Sequence, residues 1–538
     1  MIDCQGNGLS IGGQRLSSRL LTESFASQHL PTSQPTARRQ RARAIVIGAG
    51  IGGLVAAIDL LARGLDVTIL EKAPLPGGKM REVNIQGQSI DSGPTVLTMP
   101  WVFEEVFGDA GSSIDNYLDL QPTHLLARHG WSDGSQLDLF SDPELSARAI
   151  AELAGHAEAE RFRTFCRQAQ RVYETLYKSF MRSQRPGRLT LVRAAGWRGL
   201  PDLWRIQPFR TLWQSLRKQF RDPRLISLFA RYATYCGSSP LLAPATLMLI
   251  AHVEQRGVWQ ITGGMQGLAE ALATLVKDKG GIIRYGNQVA QVNTKNGQAT
   301  GVNLSSGETL PADAVIANAD LASIQAGQLG QAAAAALPTF KSPKRSLSAV
   351  TWSLLAETSG LQLAHHNVFF PENYPQEFTD IFKHQRLPDK PAVYVCAQNQ
   401  SHGQSHQSEA ERLFIIVNAP ANGDRVGYDT SGIDQLESVM LDQLAQCGLH
   451  VAIRPNHRVI TTPADFEQRF PGTGGALYGL ATHGWRSSFA RPGARSGIRR
   501  LYLAGGSVHP GAGVPMVAIS GRLAAQAAAL DLGLQAPC

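Results

Sequence analysis

The chain has 538 residues, 43% of them hydrophobic and 17% charged, with a net charge of +8. This length exceeds one simple core and predicts two intertwined domains in a folded protein somewhat poor in charge. The positive balance favours an anionic surface, lipid headgroup or nucleic acid, and the six cysteines contain no C-x-x-C pair, which argues against a disulfide framework or zinc site and for a reducing cytoplasm.

Residues 1–40 are rich in Ser, Gln and Arg, with only Asp3 and Glu23 acidic. They read as a disordered tail or as a targeting segment, without the apolar core of a secretory signal. Residues 44–47 form a short buried strand. Residues 52–63 are helical, with Leu54, Ile58 and Leu61 on one face, and Gly64 stops the helix. Residues 67–70 are the next strand, completing a β-α-β unit with parallel strands.

From about 101 to 260 the pattern is mostly helical and irregular. A helix from Ala269 leads to a strand at 282–285, then to a hairpin of 288–292 and 300–304 around Asn296-Gly297. Residues 314–317 are a further apolar run, 345–490 are mixed with several strands, 501–504 are a strand and 517–530 an Ala-rich helix. The expected fold is α/β: a Rossmann-like nucleotide-binding domain assembled from 41–95, 262–300 and 498–532, and a mixed α+β substrate domain from 96–261 and 301–497 with a helical, membrane-facing part. Residues 232–253 and 501–521 carry no charge, but glycines and prolines interrupt both, so neither reads as a spanning helix.

Gly48, Gly50 and Gly53 spell G-x-G-x-x-G between strand and helix. The first glycine permits the turn, the second lets backbone approach a pyrophosphate, and the third lets helix and strand pack. The phosphates then meet the positive end of the helix. Glu71 closes the second strand, placed to accept hydrogen bonds from a ribose. The Pro76-Gly77-Gly78-Lys79 turn suits a cofactor extended beyond its pyrophosphate. The glycine-rich loop 505–517 leads into a helix whose N-terminus suits the isoalloxazine or ribityl chain. Together these favour FAD over a nicotinamide cofactor.

Four stretches carry a family resemblance: GAGIGG (48–53), DSGPT (91–95), GVWQITGGM (257–265) and LYLAGGSVHPGAGVP (501–515). Across about 43–530 the chain resembles bacterial carotenoid desaturases of the phytoene-desaturase type, within the FAD-dependent amine oxidase group. APATLMLIAHVEQ (243–255) is most similar to the desaturases that introduce the 3,4 double bond into 1-hydroxycarotenoids, also called methoxyneurosporene desaturases. The resemblance implies flavin contacts at Gly48, Gly50, Gly53, Glu71, Gly78, Lys79, Val289, Gly505, Met516 and Val517. Gly506 stands where many amine oxidases have an acid, a departure that carotenoid desaturases share.

Desaturation of this kind sends a hydride to the flavin and releases a proton. A carbon beside a polyene spreads the developing positive charge, so no strong base is needed. His509, the titratable residue of the C-terminal loop, has two readings: a general base, or an anchor bonded to backbone. His252 and Glu254 either line the substrate tunnel or form a helix-end polar pair. His365, His366, His402 and His406 read as surface residues, and no metal site is expected. Between 188 and 221, seven arginines and Lys218 face one acid, Asp202, and are interleaved with Trp197, Trp204 and Trp213. This is either a membrane-interface patch or a basic solvated face over core tryptophans; no nucleic-acid motif accompanies the charge.

The expectation is therefore an FAD-dependent desaturase of a long acyclic carotenoid, peripheral to the cytoplasmic face of a membrane, with oxygen or quinone as electron acceptor. The alternatives are a phytoene-type desaturase acting on an earlier carotene, and a non-catalytic prenyl-lipid carrier of the escort or dissociation-inhibitor type.

Overall fold

The computed structural model describes residues 41–184, 210–338, 344–400 and 410–534. Its first layer is a five-stranded parallel sheet in the order Leu501–Leu503, Ala314–Ala317, Arg43–Ile47, Asp66–Leu70 and Ile282–Arg284. Strand alternation fixes its two faces. Ala44 and Val46 pack into the large core beneath helices Ile51–Ala62, Gln266–Asp278 and Val514–Asp531. Ile45 and Ile47 pack on the other side against Val292, Ala299 and Val302 of a three-stranded antiparallel sheet, Val289–Lys295, Gln298–Leu304 and Thr309–Pro311. Asn296 and Gly297, both at positive φ, make the hairpin turn.

The expected β-α-β unit is present: Gly50 sits at the N-cap of the first helix, and Gly64, at φ +83, follows its end. The domain boundary drawn at residue 300 is corrected. Strand Ala314–Ala317 pairs directly with Arg43–Ile47, so the nucleotide-binding layer includes it.

The second layer is an eight-stranded sheet. Its main path runs Leu449–Ala452, Ser348–Gly360, Glu411–Ala419, Val393–Ala397, His366–Phe370, Leu125–Trp131 and Gln136–Phe140, with Arg458–Thr461 also on Ser348–Gly360. Two of these strands fall in the stretch expected to be mostly helical. Leu125–Trp131 hides its periodicity because Arg128 and His129 interrupt the apolar run; His129 is nevertheless fully buried. Helical residues from 176–181 and from 231–254 contribute to the wall of the cavity. Among the described residues no helix is long and apolar enough to cross a membrane.

Candidate functional site

The turn after the first strand is held by backbone geometry that only glycine tolerates at two points. Gly48 lies at φ +93, and a Cβ there would stand 2.8 Å from the Asn318 carbonyl oxygen. A Cβ on Gly53 would stand 2.1 Å from the Gly48 oxygen, which gives the third glycine its packing role. No side chain caps the first helix, so its leading N–H groups are left for an anionic ligand. Glu71 is buried and ties the two turns together: Oε2 accepts from Ala49 N–H (2.6 Å) and Oε1 from Ala73 N–H (2.8 Å). Each oxygen keeps a second lone pair, and the residue lines the adjoining cavity.

That cavity has a volume of about 850 Å³. Gly48, Gly50, Glu71, Gly78, Lys79, Val289, Gly505, Met516 and Val517 all line it, and Gly53 lies behind it in the helix–strand contact. Lys79 is spoken for within the protein. Its Nζ donates to the Leu477 carbonyl (2.7 Å) and sits 3.8 Å from Asp320; burial lowers its pKa, against the pull of Asp320.

Several site-building residues escape sequence reasoning. Asn318 follows strand Ala314–Ala317 and donates from Nδ2 to the Gly48 carbonyl (3.3 Å). Arg491, buried, donates to the carbonyls of Gly506 (2.6 Å) and Leu480 (2.9 Å) and holds the C-terminal loop in place. Asp91 accepts from Met265 N–H (2.7 Å) and Gln266 N–H (3.2 Å), which joins the DSGPT and GVWQITGGM stretches. Their separation in sequence hides all three contacts.

His509 takes the anchoring geometry. Its Nε2 donates to the Phe180 carbonyl (2.9 Å), its ring meets Phe180 edge-on at 4.9 Å, and it is not part of the cavity wall. Burial pushes its pKa down to about 4. His252 and Glu254 separate: His252 is half-buried against Tyr173, whereas Glu254 is buried and lines the cavity. The surface reading of His365 and His366 is corrected. His366 is buried, and its register partner across the sheet is Cys396; His365 is half-buried with Nε2 3.6 Å from the Cys396 sulfur. His366 opens an inner strand and His365 precedes it, where burial pushes the His365 pKa down to about 4. His402 and His406 lie outside the described residues, as do Trp197, Trp204 and the basic residues up to Arg205.

Much of the remaining wall is apolar, with Leu247, Leu249, Ile250, Val253, Phe414 and Ile416, and Arg231, Glu254 and Tyr374 are polar groups in it. A phosphate cradle and a long apolar chamber thus share one space. A flavoenzyme for an apolar substrate is the class that this arrangement defines. Residues 51–529 match the flavin containing amine oxidoreductase family, and the chain belongs to that family. It is 50% identical to the hydroxyneurosporene desaturase of Rubrivivax gelatinosus, over 90% of this chain and 92% of that protein. It is 31% identical to the 4,4'-diapolycopene oxygenase of a Methylomonas species, over 91% and 98%. Among solved structures, an oxidoreductase from Methanosarcina mazei superposes with a TM-score of 0.56 at 17% identity, covering 89% and 98%. The cofactor is FAD, and the Glu71 and glycine cradle fits its dinucleotide part.

Proposed function

We propose that the protein desaturates an acyclic carotenoid, introducing the 3,4 double bond into a 1-hydroxy- or 1-methoxycarotenoid. The observation that carries this reading is the single cavity in which the glycine cradle and the apolar chamber meet. The much higher identity to a hydroxyneurosporene desaturase than to a carotenoid oxygenase favours desaturation of that substrate class.

Bound FAD supplies the two-electron oxidation, accepting a hydride from one carbon while the neighbouring carbon loses a proton. The chain's part is positioning and dehydration. Leu249, Val253 and Ile416 hold a polyene and exclude water. Lys79 donates to the Leu477 carbonyl beside Asp320 and His509 stands outside the cavity wall, an arrangement that suits a substrate whose own conjugation stabilises the developing charge. In the same proposal the flavin cradle comprises Gly48, Gly50, Gly53, Glu71, Gly78, Lys79, Val289, Gly505, Met516 and Val517, and the electrons pass on to oxygen or quinone.

A peripheral position on the cytoplasmic membrane face belongs to the same proposal, because the substrate dissolves in lipid. Exposed Arg217, Lys218 and Arg221 beside half-buried Trp213 support it. The test is a substrate panel presented in liposomes to the FAD-loaded protein. Hydroxyneurosporene is expected to gain one double bond. Conversion of phytoene with hydroxyneurosporene left unchanged would favour the earlier-carotene reading; tight carotenoid binding with no turnover of either would favour a carrier.

A further inference from the structure

One end of the apolar chamber carries groups that a hydrocarbon does not need. Arg231 is 9% exposed and Glu254 6%, and both line the cavity. Glu254 accepts hydrogen bonds from the hydroxyls of Tyr232 (2.7 Å) and Tyr235. Arg231 lies with its guanidinium carbon 5.2 Å from the Tyr235 ring centre. Burial works against its charge, yet Tyr235, Glu254 and Tyr232 keep it protonated. Tyr374, 1% exposed, also lines the cavity, and Arg231 is near enough to act on its phenol and on that of Tyr394.

Alongside the hydroxyls of Ser348 and Thr351, the cavity-lining groups without a partner include two strong donors: Nε of Arg231 and the hydroxyl of Tyr374. Buried donors left unpaired are destabilising and rare. Here both line the chamber that is to receive the substrate. The missing partner is therefore an acceptor that the substrate brings, and one oxygen with two lone pairs has the capacity for both.

We propose that Arg231, beside the Tyr235 ring that Glu254 holds by its hydroxyl, and Tyr374 form an end-group subsite that binds an alcohol or ether oxygen at the terminus of the polyene. The subsite rests on the desaturase reading and deepens it. An oxygen on C1 lies within a few bonds of C3, so a grip on it sets which carbon–carbon bond reaches the redox centre, and a hydrocarbon terminus leaves both donors unpaired.

The test uses the FAD-loaded protein and three ligands that differ only at the terminus: hydroxyl, methoxyl and hydrocarbon. Dissociation constants are measured by tryptophan quenching on the reduced enzyme, which cannot turn over, and kcat/KM on the oxidised enzyme. Wild type is expected to prefer both oxygenated ligands. Tyr374→Phe is expected to cut that preference about tenfold, the worth of one hydrogen bond in a buried site. Arg231→Lys, which keeps the charge but lacks the Nε donor, is expected to do the same and serves if Tyr374→Phe does not fold. Equal wild-type binding of all three ligands, or an unchanged preference in the variants, overturns the subsite. If wild type binds the oxygenated ligands selectively but desaturates none, the subsite stands and the desaturase reading fails.

Discussion

Glu71 shows how much a single carboxylate organises. It bonds the buried N–H of Ala49 and the half-buried N–H of Ala73, from the turns that follow the first and second strands. Glu71→Ala leaves the Ala49 N–H unpaired, at ~1–3 kcal/mol, and removes the acceptor for a ribose. The expected outcome is a protein purified with little or no flavin, read from the visible absorbance of the eluate, and a lowered melting temperature; full flavin content would contradict the role. Gly53→Ala acts through sterics. Its Cβ would fall 2.1 Å from the Gly48 oxygen, so the turn must open and flavin retention is expected to fall with it. His509 bears on a different observable. With its Nε2 bonded to Phe180 and its pKa at about 4, it gives the rate no inflection between pH 6 and 7, where a free imidazole base would.

At the scale of elements, the contact between helices Ile51–Ala62 and Val514–Asp531 governs how the two ends of the chain share one cofactor. The Ala-rich composition of the second helix lets the backbones approach. A Cβ on Gly521 would stand 2.3 Å from the Gly52 oxygen. Gly521→Ala is therefore expected to force the helices apart, lowering the melting temperature by several degrees, on the scale of ~1–3 kcal/mol for overpacking, and to loosen flavin; differential scanning calorimetry with flavin release checks it. The same elements show what the sequence makes legible. The GAGIGG turn, its helix and Glu71 are contiguous, and local chemistry dictates each of them. Asn318 and Arg491 reach the site only through parallel pairing with a distant strand and through a returning loop, and neither has a local signature. His365-His366 resembles an exposed polar doublet, yet it lies where an inner strand begins. The polar end of the chamber is hidden for a further reason: Arg231 and Glu254 flank a long uncharged stretch, and only the fold brings them to one wall.

For the whole molecule, burial of neutral histidines sets a pH dependence. His365, His483 and His509 have pKa values pushed down to about 4 from 6.5, by burial in each case. Between those values the unfolded chain binds protons that the native state does not, so stability rises with pH across the window. Glu377, raised to about 7 from 4.5 by burial, acts oppositely, since its native form retains a proton that the unfolded chain has released. His129, His252 and His366 shift the same way as these three, and Asp59 and Asp91 the same way as Glu377, so six lowered histidines against three raised carboxyls leave the histidines in control. The urea midpoint is expected to fall as pH drops from 6.5 towards 4; a flat profile would contradict the burial of these rings. The chamber that joins cofactor to substrate is probed by anaerobic mixing of the FAD-loaded protein with 1-hydroxyneurosporene. The flavin's visible band is expected to bleach in step with the appearance of a carotenoid product one double bond longer. Carotenoid bound with the flavin still fully oxidised and no new double bond would contradict it.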